Sequence, residues 1–447
     1  MSRLSMATLV DARATIPSYD RSAPPRIVHL GVGAFARAHL GTYADDLAAK
    51  GWPATICGIS LRSPTAEQQL QPQNGLYTVE ERESSSTEPL RVVGALTSIA
   101  TGPTAAVEAI AARDTTMVTL TVTEKAYDES SPVAALLADA LARRHARALP
   151  PPVIAPLDNV LRGGSLLRSR VLAVARNDAP AVSWIEDEVP FVNSVVDRMV
   201  PATTDEDRQR ISDALGLVDQ AAVCAERHCS WVIEQHDGLP PLGDVGVEEV
   251  ADIEPYERRK LWLLNAPHSA LAYFGLLAGC ATIAQAVAYP RVLAVVRAVV
   301  GDILQVAQFP VSSVSMCAEA FAADALRRFG NPLLGHTCVQ VGADGSRKLP
   351  QRLLPIVDLA LRQGAAVDRF ALMVAAWICA AAGRPVQGTL LPTVEDPRSA
   401  ELHAATDVNA VVRVALGDGA NRHFAAAVAQ ALQTLERDGA AALDGAA

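Results

Sequence analysis

Between Pro255 and Gly279 the chain reads PYERRKLWLLNAPHSALAYFGLLAG, in which Glu257, Lys260, Asn265 and His268 head a run otherwise rich in leucine, alanine and aromatic residues. Together these side chains cover what a proton-coupled reaction at a hydroxyl carbon requires: a base, donors for an oxygen that gains negative charge, and a carboxylate. Lys260 also stands out by count, because of 39 Lys and Arg residues only Lys50, Lys125, Lys260 and Lys348 are lysines. Arginine stays protonated at any working pH, whereas a lysine against apolar surface has a lowered pKa and can act as a base. An uninterrupted helix over 257–268 puts the four groups within an arc of about 140°. Pro267 interferes with that helix, which either kinks there or ends near Asn265, leaving Asn265 to cap a second helix. The plainer alternative is a surface lysine, a capping asparagine and a core histidine.

A second constellation lies near the N-terminus. In HLGVGAFARAH the pattern G-x-G-x-x-A is filled by Gly31, Gly33 and Ala36, with a β-rich run before it and a helical run after it. The first glycine permits a tight turn, the second lets a pyrophosphate approach the backbone, and the small third residue lets helix and strand pack. Arg37, in the first helical turn, either reaches a phosphate or is solvated. The next strand, ATICGIS, runs into Leu61, Arg62 and Ser63 without the acidic residue that binds an adenosine ribose, and Arg62 suits a 2′-phosphate. Both NAD and NADP therefore stay open.

The elements that must position these groups follow from the texture of the chain. Strand, glycine turn, helix and strand over 26–60, a helical stretch near 104–113, and β runs at 115–123 and 150–159 predict an α/β Rossmann-type domain with a mostly parallel sheet. From about 250 onward, long apolar stretches at 283–307, 313–329 and 367–381 carry helical spacing, so the second domain is predicted to be all-α. The division falls at 1–250 and 251–447. Residues before the Pro-rich RSAPP read as a loose arm, and the last ten or so residues are small and polar enough to fray.

Composition narrows the partners. A net charge of −10 without a Lys/Arg cluster argues against nucleic acid and anionic membranes, and no apolar run approaches a bilayer span. Seven scattered cysteines without C-x-x-C spacing read as reduced core residues, which fits a cytoplasmic protein. Cys224, His228 and Cys229 lack a fourth partner, so no metal site is expected. A small-molecule substrate is the default, handled by a monomer or small homo-oligomer.

At this point the motifs resemble the long-chain mannitol dehydrogenase family of polyol-specific dehydrogenases. IVHLGVGAFARAH is similar to its cofactor turn, LTVTEKAY (120–127) to its next landmark, FVNSVVDRMVPATT (191–204) to its signature segment, and KLWLLNAPHSALAYFG (260–275) to its catalytic stretch. The resemblance spans nearly the whole chain and implies a metal-independent NAD(P)-dependent dehydrogenase. It implies Lys260 as general acid/base, Asn265 and Asn159 as holders of the substrate oxygen, His268 as a positioning group and Glu257 as a proton link to solvent. Gly31, Gly33, Phe35, Ala36, Arg37, Arg62, Thr123, Asn159 and Asp197 are implied on the cofactor side; Asn193, Asp197, Gln340 and Lys348 are implied to line the substrate pocket. The run from Gln340 through DGSRKLPQR resembles the fructuronate reductase branch, which implies a sugar acid, with Lys348 and either Arg352 or Arg328 as counter-charge; a polyol such as mannitol or arabinitol is the alternative. A cofactor-binding protein without turnover is the reading from another class, and its sign would be a broken Lys-x4-Asn-x2-His spacing, which is intact here.

Overall fold

The computed structural model describes residues 1–446 except 84, 85, 88, 123, 129, 130, 176–178, 310–316 and 388, with the backbone alone at 86, 87, 124, 125, 179 and 389. Two compact units result, Met1–Tyr256 and Glu257–Ala447. In the first, β1 (Ile27–Leu30), β2 (Ile56–Ser60), β3 (Leu96–Thr101), β4 (Met117–Leu120) and β5 (Val153–Pro156) form a parallel sheet in the order β3-β2-β1-β4-β5. Ile27 lies opposite both Ile56 and Met117, and Met117 opposite Val153. Strands β1, β4 and β5 are buried at every position, which is why they read as continuous apolar runs rather than as an alternating pattern.

Alternate residues of these strands feed two separate cores. Ile27, Ile56, Met117 and Val153 pack with Leu40, Tyr43 and Leu47 of the Leu40–Ala49 helix, whereas Val28, Leu30, Val118, Leu120 and Ile154 pack with residues of the helices at 103–110 and 132–146. The order reverses between β1 and β4, and in open sheets of this kind ligands bind beyond the carboxyl ends of the strands at that reversal. The chain after β1 there is the glycine turn.

Three findings go beyond the expected layout. Tyr77–Glu83 pairs with Val223–Glu226 and Arg91–Val93 in a second small sheet, and Ser194–Asp197 pairs with Ser230–Glu234 in a third. Their sequences mix charged and apolar residues, which hid them. The N-terminal arm is not loose: Leu4 and Leu9 are buried against Leu76, Val92, Leu215 and Leu217, and Arg21 donates to the Gly94 carbonyl at 2.7 Å. At the other end Leu443 is buried and the Ala446 carbonyl accepts from Arg369 Nε at 2.6 Å, so the tail is anchored through residue 446.

The second unit is built around two helices with almost no exposed face. Ala266–Leu277 buries every residue but His268, and Asp368–Ala382 buries all but its first two. A helix apolar all round belongs to a core. The amphipathic helices Pro290–Val306, Ala318–Phe329, Leu354–Gln363 and Arg422–Asp438 belong to the same unit. Among the described residues no helix is long and apolar enough to cross a membrane.

Candidate active site

The glycine turn is fixed by its backbone. Gly31 has φ +98°, and a Cβ there would lie well inside van der Waals contact with the Thr121 carbonyl oxygen, so no other residue fits without strain. Gly33 is different: its backbone is extended, and a Cβ would meet no atom within 4 Å. That open face, at the start of the Ala34–Ala38 helix and without a side-chain cap, is where a phosphate can approach the amides. The residues thus fit a dinucleotide. Ala36 is buried, and Phe35 stacks on His39 at 5.0 Å.

The turn is braced from beneath by His29, a residue that sequence reasoning passed over. The Gly31 carbonyl accepts from Gly33 N–H at 2.7 Å, the Thr121 hydroxyl at 2.7 Å and His29 Nε2 at 3.0 Å. Because a carbonyl only accepts, the proton sits on Nε2, and Nδ1 accepts from Thr119 Oγ1 at 2.8 Å. Burial pushes the His29 imidazole down to about 4, so it is neutral at physiological pH. A histidine inside the apolar strand IVHL was the available signal.

Arg37 is half-buried. Its guanidinium turns inward, donates to the carbonyls of Gly33 and Ala221, and lies 6.0 Å from the Tyr77 ring. Arg62, by contrast, is exposed just beyond β2. Thr123 lies outside the described residues.

Asn159 is exposed in the turn after β5. Its neighbour Asp158 pins that turn, accepting from Val122 N–H at 2.8 Å and from the Tyr127 hydroxyl at 2.8 Å. Asn193 is 2% exposed, and its side chain is spent within the fold: Oδ1 accepts from Ser165 N–H, while Nδ2 donates to Ser165 Oγ and Glu234 Oε2 at 3.1 and 2.8 Å. It is a joint that holds the start of the Gly163–Ala175 helix. Asp197 is buried and lies 3.5 Å from His228 Nε2, a contact longer than a hydrogen bond. His228 thus belongs with a carboxylate rather than with the neighbouring cysteines. Among the described residues no group of three or more His, Cys, Asp or Glu side chains could hold a metal ion.

In the second constellation, Pro267 does not end the helix. Lys260, Asn265 and Ala266 all keep right-handed helical angles, and the chain runs from Glu254 to Leu277 through a π-turn over Leu261–Asn265, with Ala266 N–H bonded to the Leu261 carbonyl five residues back. The wider turn makes room for a proline ring and its missing donor. It also inserts one residue without advancing the helical phase. Glu257, Lys260, Asn265 and His268 are thereby drawn from an arc of about 140° into one of about 80°. Glu257 and Asn265 are 5% and 6% exposed, and Lys260 is half-buried. Asn265 is not a cap; its Nδ2 is buried without an acceptor among the described residues. His268 stacks on Phe329 at 4.3 Å and 9°, with His336 6.1 Å away.

Lys348 and Arg352 share the short helix Gly345–Arg352. Lys348 Nζ donates to the Val341 carbonyl at 3.2 Å. Gln340 is exposed, and its amide oxygen accepts from Thr337 N–H at 3.2 Å while Thr337 Oγ1 accepts from Gln340 N–H, a reciprocal helix cap. Arg352 Nη1 donates to Ser269 Oγ at 3.0 Å and to the Asn265 carbonyl at 3.4 Å.

The chain is similar to known proteins over both of its units. Residues 25–242 match the mannitol dehydrogenase Rossmann domain and residues 252–436 the mannitol dehydrogenase C-terminal domain. The chain is 36% identical over 437 residues to D-mannonate oxidoreductase of Escherichia coli, covering 89% of this chain and 88% of the relative. It is 33% identical over 473 residues to mannitol 2-dehydrogenase of Phaeosphaeria nodorum, covering 96% and 82%. Among solved structures, the Pseudomonas fluorescens mannitol 2-dehydrogenase in ternary complex with NAD and D-mannitol superposes with a TM-score of 0.88 over 99% of both chains at 27% identity. With both of its domains matched, the chain belongs to the mannitol dehydrogenase family of polyol and sugar-acid oxidoreductases.

Proposed function

We propose that this protein interconverts a secondary alcohol and a ketone on a sugar acid of the mannonate/fructuronate type, with NAD as cofactor and without a metal. The observation that carries the reaction is Asn265 Nδ2, a buried donor without an acceptor among the described residues, on the same narrow helix face as Lys260. A bound nicotinamide supplies the hydride acceptor or donor. The chain's own residues handle the proton and the oxygen: Lys260 Nζ takes the hydroxyl proton as the carbonyl forms, Asn265 Nδ2 and Asn159 donate to the oxygen, and Glu257 passes the proton between Lys260 and solvent. His268, its ring plane set by Phe329, positions the substrate. Gly31 and Gly33 shape the phosphate cradle.

The sugar-acid assignment rests on the 36% identity to D-mannonate oxidoreductase and on Lys348, whose positive charge suits a substrate carboxylate. The polyol reading draws on the fold shared with a mannitol 2-dehydrogenase solved with D-mannitol. A nicotinamide absorbance assay over fructuronate, tagaturonate, fructose, mannitol, arabinitol and mannonate separates the two. Turnover of fructuronate and mannonate is expected. Robust mannitol or arabinitol oxidation with no activity on either acid overturns the sugar-acid assignment.

A further inference from the structure

We infer that Arg352 is a positioning residue that locks the π-turn and so aims the Asn265 amide, rather than a counter-charge for a substrate carboxylate. The inference rests on the proposed function for its catalytic consequence and on geometry for its structural one. Asn265 cannot orient itself through its side chain, because its Nδ2 is buried without an acceptor among the described residues. Something else must hold it. A π-turn is intrinsically less favourable than the α-helix flanking it, since its wider bore loosens the ladder, and here Pro267 withholds a further donor.

Arg352 acts at that weak point. One guanidinium nitrogen, Nη1, donates both to the backbone carbonyl of Asn265 and to the hydroxyl of Ser269 four residues later. A serine hydroxyl within a helix ordinarily turns back onto the carbonyl four residues earlier, which for Ser269 is the Asn265 carbonyl. The guanidinium therefore sits at the point where the helix returns from the wide turn to regular winding. Ser269 is fully buried, so its hydroxyl oxygen has no solvent to substitute for Arg352. Placing the arginine at the last position of Gly345–Arg352, one turn after Lys348, couples the lysine's helix to the register of Asn265.

The two roles for Arg352 predict opposite kinetics. If it positions Asn265, Arg352→Met lowers kcat roughly 10- to 100-fold on every substrate the wild type turns over, acid or polyol, as expected for misplacement of a reacting group by about 1 Å. KM for the sugar and the Kd for NADH stay within about threefold, and Arg352→Lys, which keeps one donor, recovers a large part of the rate. If it binds carboxylate, kcat survives and KM rises for acids alone, and that result overturns the inference. Ser269→Ala removes the acceptor while leaving the charge, and it should move kcat in the same direction by a smaller factor; an unchanged kcat counts against the inference even where Arg352→Met fails to fold. Amide hydrogen exchange across 261–270 needs no substrate. Faster exchange in Arg352→Met or Ser269→Ala supports the lock, and unchanged exchange in both sinks it. A wild type inactive on all six sugars would remove the proposed function while leaving this exchange test decisive.

Discussion

The glycine turn and the 254–277 helix bring function about by opposite means. In the turn the backbone is the functional group: Gly31 is required by its positive φ and by the Thr121 carbonyl, Gly33 leaves an open face, and the polar side chains nearby, His29 and Thr121, serve as scaffolding. In the helix the side chains are the functional groups and the backbone adapts to them, widening over Leu261–Asn265 so that four of them share a narrow face. A backbone site tolerates almost no change at its pivot. A side-chain site fails most at its reacting atoms and less at the scaffold that aims them.

That contrast is tested most sharply at the reacting atom itself. Lys260→Ala should reduce turnover by about 10²–10⁴-fold while leaving NADH affinity nearly unchanged, because the cradle contains no part of Lys260. A variant that keeps more than about a tenth of wild-type turnover would move the proton-transfer role elsewhere.

The two glycines come next. Gly31→Ala must push a Cβ against the Thr121 carbonyl and is expected to destabilise the fold by about 2–4 kcal/mol, read as a lowered melting temperature. Gly33→Ala has room, so its melting temperature should match wild type while NADH affinity falls roughly 10-fold, about 1.4 kcal/mol. Equal melting losses in both variants would show that the turn is packed differently from this description.

The brace beneath the turn gives a pH signature. His29 titrates near 6.5 when unfolded and near 4 when folded, so the unfolded state binds the extra proton first as pH falls. Stability is unaffected above about pH 6.5, is lost progressively between about 6.5 and 4, and the loss reaches about 3 kcal/mol. Chemical denaturation across that range in wild type and His29→Asn should show the variant losing less stability on acidification; parallel curves would remove His29 from the account.

The smallest effect is expected at Arg62. An exposed charge contributes modestly, so Arg62→Ala should shift the NADP-to-NAD ratio of kcat/KM by about fivefold at most. A clear NADP advantage in the wild type that vanishes in Arg62→Ala would make NADP the preferred cofactor.

Much of this is legible in the amino-acid sequence. The order of β1, turn and helix could be read from IVHLGVGAFARAH because glycine, apolar run and helix former each carry a local physical preference. The helical character of the second unit was legible for the same reason, its apolar stretches being too long for strands, although that unit also carries a two-stranded ribbon of Pro385–Val386 and Thr389–Leu390 that was not expected. The two small sheets were not, since a strand such as Tyr77–Glu83 is completed by Val223–Glu226, far along the chain, as well as by Arg91–Val93, rather than by its own pattern. Nor were the roles of Asn193, Gln340 and Arg37. Each has a side chain apt for a ligand, and each makes a fold contact that sequence spacing does not reveal.

What the sequence by itself determined, then, is the set of reactive groups and the family they form: the Lys260, Asn265 and His268 spacing, the Gly31 and Gly33 pivot, and the scarcity of lysine. Tertiary structure decided where those groups stand. Pro267 is an ambiguous signal locally, compatible with a kink, a helix end or a bulge. The π-turn is selected by its surroundings, where the buried 266–277 helix continues through the core and Arg352, 87 residues beyond Asn265, meets the carbonyl at the turn's last residue. Local propensity fixes which conformations are cheap, and only long-range packing and hydrogen bonds choose among those of nearly equal cost.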